Sequence, residues 1–175
     1  MAGKEMQEIH CCLIEADRLS ICLASSEKGA MGVGLTLDNG PDCLAYFNDV
    51  FPGRVLIKDE KWNDPLIKAV EAALSGRPVP DALKLDINHT PFQMKVWTGI
   101  KKIPFGKTRT YGEVAAMAGC PGGARAIGQA MGRNPLPLIF PCHRVVAACG
   151  LGGFSGGLEL KSYLLNRERT VIQKP

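Results

Sequence analysis

From His89 to the end of the chain the only acidic residues are Glu113, Glu159 and Glu168, against many Lys and Arg. That shortage of negative charge makes the second half basic and points it toward a polyanion. The net charge of the whole chain, +4, permits nucleic-acid binding without demanding it. No apolar run is long enough to cross a bilayer, which argues against a membrane helix. Met1 to His10 mixes charges of both signs and has no apolar core, so it does not read as a secretory signal. Cytoplasmic residence is expected, or nuclear if the source is eukaryotic. No Cys-x-x-Cys pair, no His-x-x-x-His pair and no Gly-rich phosphate loop occurs. Those absences argue against a common zinc site and a nucleotide cofactor. No internal repeat or low-complexity segment interrupts the chain.

What is present is an ordinary globular composition: 175 residues, 46% hydrophobic and 22% charged. That is enough for one domain or two small ones with their own cores. Seven Cys is an odd number, so at least one is unpaired. In a reducing compartment most are expected as free thiols.

Residues 9–37 alternate polar and apolar, with breaks at Asp17-Arg18 and Lys28-Gly29, and read as two or three antiparallel strands. Asp64 and Pro65 open a helix through Leu66, Ile67, Ala69, Val70, Ala73 and Leu74, with Asp64 as its cap and Gly76 as its stop. Ser75 to Asp81 is a linker by composition. The second half reads as mainly helical. Thr90 caps a helix whose apolar face is Phe92, Val96, Trp97 and Ile100, ending by Pro104. Thr110 and Glu113 form a capping box for a short helix to about Ala118. Gly119 to Gly123 is a turn, and a second helix runs from Ala124 to about Arg133. Two short helices joined by a Gly-containing turn describe a helix-turn-helix. A last helix spans about Gly157 to Glu168. The fold class is therefore α/β. A small N-terminal α/β domain with antiparallel strands, residues 1–87, precedes a mainly helical, winged-helix-like domain, residues 88–175.

The chemistry concentrates in Ile139-Phe140-Pro141-Cys142-His143-Arg144-Val145. A Cys beside a His can be made a thiolate, which is the nucleophilic form. Leu136 to Phe140 reads as a short buried strand that Pro141 terminates, so Cys142 stands where the chain turns. A His base needs a third group to fix its tautomer. Glu168, four residues past Leu164 and eight past Leu160, shares their buried face and supplies a carboxylate. It also reads as the C-terminus of its helix, where the macrodipole disfavours an anion, so a partner is expected. Glu159 falls on the opposite, solvated side. The amide of Asn134 ties the second helix to the Cys142 turn. That second helix is nearly devoid of bulk (Gly122, Gly123, Ala124, Ala126, Gly128, Ala130, Gly132), with Arg125 its one long cation at the front. It lacks the polar side chains of a major-groove reader, and suits the minor groove and phosphate contacts.

The run Asn134 to Val146 resembles the active-site signature of the O6-alkylguanine-DNA alkyltransferases, the methylated-DNA–protein-cysteine methyltransferases. Thr90-Pro91-Phe92-Gln93 with Val96-Trp97, Thr110 to Ala115, Ala124 to Gly128 and Phe154 to Leu158 resemble further blocks of that family in the same order. The resemblance covers about residues 88–170. It implies single-turnover transfer of an alkyl group from O6-methylguanine, and from O4-methylthymine, in double-stranded DNA to Cys142, after minor-groove binding and nucleotide flipping. The thiol proton would pass to His143 through one water. Arg125 would fill the gap left by the extruded nucleotide. Tyr111 would help rotate that nucleotide out and donate to the leaving base. Thr110, Gly123, Ala124 and Gln129 would join these two on the DNA. Val145, Phe154, Ser155 and Gly156 would line the substrate pocket, with Phe154 where many members carry Tyr. Some members hold zinc in the first domain. His10, Cys11, Cys22 and His89 could be offered for it, but buried thiols are the preferred reading. No metal, no cofactor and a monomer are expected. The alternatives are a lesion-binding relative, which would lack the Cys; a helix-turn-helix transcription factor, which the small-residue helix opposes; and a thiol hydrolase using Cys142, His143 and Glu168.

Overall fold

A computed structural model describes residues 8–173 of the 175. The chain forms two compact units: one runs to Val70 and takes in Val79–Ile87, and the other is Glu71–Pro78 with the residues from Asn88 onward.

The first unit carries a four-stranded sheet of order β3-β2-β1-β4. β1 (Glu8–Ala16), β2 (Leu19–Ser26) and β3 (Gly29–Leu37) are an antiparallel meander, and β4 (Val55–Lys58) adds in parallel beside β1. Every residue of β2 is buried. A central strand covered on both faces need not alternate, and Ile21 to Ala24 is its continuous apolar stretch, flanked by the buried Ser20, Ser25 and Ser26. α1 (Cys43–Val50) caps one face, with Cys43 and Phe47 packed in a cluster with Ile9, Cys11, Cys22 and Ala24. Asp42 caps α1 by accepting from Leu44 N–H. α2 (Asp64–Leu74) follows, and the division between the units falls inside it. Asp64 lies within α2 rather than capping it, and its carboxylate pairs with Lys68 one turn on at 2.6 Å. Burial pushes the thiols of Cys11, Cys12 and Cys22 up to about 12, so they are inert. Among the described residues, no group of three or more His, Cys, Asp or Glu is arranged to hold a metal ion.

The second unit is mainly helical. α3 (Pro91–Ile100) begins with a full capping box, in which Thr90 accepts from Gln93 N–H and Gln93 accepts from Thr90 N–H. Val96, Trp97 and Ile100 are buried, whereas Phe92 is exposed. α4 (Tyr111–Met117) opens on the same device from Thr110 and Glu113. α5 (Ala124–Gly132) packs on both α3 and α4, and Trp97 Nε1 donates to Ala130 O at 2.9 Å. The residues Leu136 to Phe140 are a turn and not the expected strand. Pro135 and Pro137 remove the ladder donors, Leu138 sits at φ 74°, and Phe140 N–H returns to Leu136 O. Among the described residues, the strands of this unit are short: β5 (Arg109–Thr110) pairs in parallel with β6 (Val145–Val146). α6 (Leu158–Gln173) runs five residues past Glu168, so that carboxylate is inside the helix and the macrodipole argument does not apply to it. No described helix is long and apolar enough to cross a membrane.

Candidate active site

Cys142 opens a three-residue 3-10 turn, Cys142–Arg144, immediately after the Leu136–Phe140 turn. Asn134 organises this approach. Its Oδ1 accepts from Leu136 N–H at 3.0 Å, while its Nδ2 donates to Phe140 O at 2.8 Å and to Cys142 Sγ at 3.1 Å. One amide therefore ties the end of α5 to the Cys142 turn and touches the sulfur itself. Cys142 is 6% exposed, and burial pushes its thiol up; the Asn134 hydrogen bond and the charge of Lys161 oppose that only in part. A thiol in this state is protonated at neutral pH and needs a base.

His143, also buried, sends Nε2 to Glu168 Oε1 at 2.6 Å. With Glu168 ionised, Nε2 carries the hydrogen and donates it, which leaves Nδ1 as the ring's free lone pair. Nδ1 is buried and has no protein partner. Burial holds His143 below its ordinary value, against the pull of Glu168, so the imidazole is neutral and able to take a proton. Burial alone would raise Glu168; its hydrogen bonds and charge contacts with His143 and Arg144 outweigh that and hold it below the usual range. With His143 neutral, the permanent positive charge beside Glu168 is Arg144, whose Nε and Nη2 lie 2.9 to 3.1 Å from the carboxylate.

A cavity of about 340 Å³ opens over the sulfur, lined by Tyr111, Gly128, Met131, Gly132, Cys142, Gly153, Phe154 and Ser155. It joins the Cys142 turn to α4, α5 and the loop before α6. Tyr111 O–H donates to Gly153 O at 3.1 Å, and its phenol is held above its ordinary value by burial and by Cys142. Gly152 keeps that loop close: it sits at φ 71°, and a Cβ there would lie 2.8 Å from the Tyr111 ring. Of the residues expected at the pocket, Phe154 and Ser155 line it. Gly156 stands outside the lining beside Leu160, and Val145 is fully buried in β6.

Arg125, Ala124 and Gln129 are exposed on α5, which opens at Gly123 without a side-chain cap. Its first backbone N–H groups therefore remain available to an anion. Thr110 is committed to its capping box.

Lys161 was not singled out from the sequence. It is 0% exposed, and its Nζ donates to the carbonyls of Val145 and Leu151 at 2.6 Å and of Gly153 at 3.1 Å. It thus fastens β6 and the pocket loop to α6. The signal was present: Lys161, Leu164, Leu165 and Glu168 recur at helical spacing, so two charged residues share one inward stripe. Met131 and Gly132 were also missed as pocket walls, because their role depends on where α5 packs.

The fold and the site together define a helix-turn-helix domain with a buried cysteine thiol, a His–carboxylate pair whose His is its neighbour in sequence, and a small pocket that the cysteine lines. Residues 91–170 match the family model described as 6-O-methylguanine DNA methyltransferase, DNA binding domain. The chain is 45% identical over 107 residues to a methylated-DNA–protein-cysteine methyltransferase of Mycobacterium leprae (strain TN), a match that takes in 61% of this chain and 65%, under two thirds, of that protein. It is 32% identical over 148 residues to the inducible methylated-DNA–protein-cysteine methyltransferase of Bacillus subtilis (strain 168), covering 84% of this chain and 83% of that one. A crystal structure of Mycobacterium tuberculosis OGT in complex with DNA superposes with a TM-score of 0.72 at 30% identity over 94% of each chain. The chain belongs to the methylated-DNA–protein-cysteine methyltransferase family.

Proposed function

We propose that this protein repairs DNA by direct reversal, moving the alkyl group of O6-methylguanine in duplex DNA onto Cys142, once per molecule. The observation that carries the reading is the buried Cys142 thiol facing a base-sized pocket, with the His143–Glu168 pair behind it. The second domain, residues 88–175, binds DNA and transfers the group; residues 1–87 support it. The protein acts as a monomer in the cytoplasm, or in the nucleus of a eukaryote, without a cofactor.

α5 enters the minor groove, Arg125 takes the place of the target nucleotide, and the base enters the pocket. The thiol proton passes, through a water, to Nδ1 of His143. Sulfur attacks the alkyl carbon as its bond to O6 breaks, and the bonding electrons go to the guanine ring. Tyr111 O–H supplies a hydrogen bond or proton to that leaving anion. The product is a thioether, which water does not readily cleave, so the sulfur is not regenerated.

Intact mass after incubation with a duplex oligonucleotide carrying O6-methylguanine should show one added methyl group, and peptide mapping should place it on Cys142. Turnover of an ester or peptide, with no stable adduct, would make the chain a thiol hydrolase instead.

Arg125→Ala should slow repair of the duplex by about 10- to 100-fold, the worth of a few kcal/mol of flipping energy. Reaction with free O6-benzylguanine needs no flipping and should change by about 2-fold at most. Equal losses on the two substrates would place Arg125 in the transfer step rather than the flipping step.

A further inference from the structure

We infer that the turn Pro104–Lys107 is a positioning device for the transfer: the backbone N–H of Gly106, with Arg144 held by the same turn, fixes the carboxylate of Glu168 in the orientation that serves His143. This rests on the reading of Cys142 as the alkyl acceptor.

Both oxygens of Glu168 are engaged, and by different groups. Oε1 meets His143 Nε2 at 2.6 Å and Arg144 Nη2 at 2.9 Å. Oε2 accepts the Gly106 N–H at 2.6 Å, and Arg144 Nε lies 3.0 and 3.1 Å from the two oxygens. Arg144 already meets both oxygens, so the guanidinium alone does not fix which oxygen serves the imidazole; without the Gly106 N–H the carboxylate can turn while keeping Arg144 and lose its contact with His143. The Gly106 amide holds Oε2 and so keeps Oε1 for His143.

The turn acts on Arg144 as well. Arg144 Nη1 donates to Ile103 O at 2.9 Å, and its guanidinium lies 5.4 Å from the centre of the Phe105 ring. Lys107 N–H closes the turn onto Pro104 O at 3.0 Å. Gly106 sits at its third position with φ 71°, where turns of this kind favour Gly. A Cβ there would lie 2.2 Å from Ile172 Cδ1, the end of an exposed side chain, and 3.8 Å from Glu168 O. The third position thus has a backbone reason to be Gly and a chemical reason to keep its N–H in place.

The test is the pH–rate profile of alkyl transfer from free O6-benzylguanine, which leaves DNA binding out. Gly106→Ala should displace the amide and slow transfer by about 10-fold at neutral pH. A Glu168 that has lost a donor protonates more readily, so the acid limb of the profile should move to higher pH. Gly106→Asn tolerates positive φ better and should restore part of the rate. Pairing either substitution with Ile172→Ala removes the side-chain clash if Gly106→Ala alone does not fold. In a Glu168→Gln background, Gly106→Ala should add less than about 2-fold, because the carboxylate it acts through is gone. An unmoved acid limb with a uniformly lower rate, or the full 10-fold loss in the Glu168→Gln background, would overturn the inference and leave Cys142 as acceptor. Absence of any adduct on the unsubstituted protein would overturn the functional reading itself.

Discussion

Cys142→Ser should abolish alkyl transfer, by on the order of 10⁴-fold or more, while leaving the protein folded and able to bind DNA. A hydroxyl is nearly the same size as the thiol and can accept the Asn134 Nδ2 hydrogen bond that now goes to sulfur. The loss is therefore chemical. A Ser oxygen in a site that already holds a thiol in its protonated form ionises far less readily, and the neutral hydroxyl is a poor nucleophile toward an alkyl carbon. Intact mass should show no adduct, and a binding titration with O6-methylguanine duplex should remain close to that of the unsubstituted protein. Adduct formation at another residue would remove Cys142 from the chemistry.

Glu168→Gln should slow transfer on the order of 10²-fold at neutral pH, with the fold and DNA binding kept. The amide oxygen can still accept from His143 Nε2, but it lacks the charge that stabilises an imidazolium as His143 gains the thiol proton. Arg144 would also lose its carboxylate, and its uncompensated charge further disfavours a protonated His143. The sign of the pH effect follows. Burial already raises Cys142, so without an effective base the reaction waits for the thiol to ionise unaided. The deficit should be greatest at neutral pH and shrink as pH rises toward the range of the raised thiol. Parallel profiles for the two proteins at every pH would restrict Glu168 to a structural role.

Those residues were legible in the sequence to different depths. Cys142 and His143 stood out because a Cys-His pair within a distinctive block carries its own chemistry. Glu168 was reached through its i+4 spacing from Leu164, and it is indeed buried. The accompanying reason, a helix terminus, was wrong, since α6 continues to Gln173 through Arg169, Thr170 and Val171 with no stop signal before it. Capping boxes are local devices, and the one at Thr110 is as its four residues indicate. The turn at Leu136–Phe140 was misread because a run of apolar residues is equally a buried strand or a buried turn. The two prolines that break it also mark strand edges. β4, which pairs in parallel with β1 across α1, has only four residues, and although Pro52-Gly53 marks the turn before it, a strand that short shows neither its period nor its partner. Lys161 and Gly106 matter through partners distant in sequence, three carbonyls and one carboxylate respectively, and nothing local reveals such partners.

The burial of Cys142 has a consequence for how the molecule ages. The proposed single transfer requires the sulfur to stay intact until then, and oxidation to sulfenic and higher acids follows thiolate character and exposure. Cys142 offers little of either: its side chain is buried at the floor of the pocket, and burial favours the protonated form. Cys149, seven residues on, is exposed. Peroxide should therefore mark Cys149 well before Cys142, and a molecule with one oxidised thiol can remain fully charged for its single reaction.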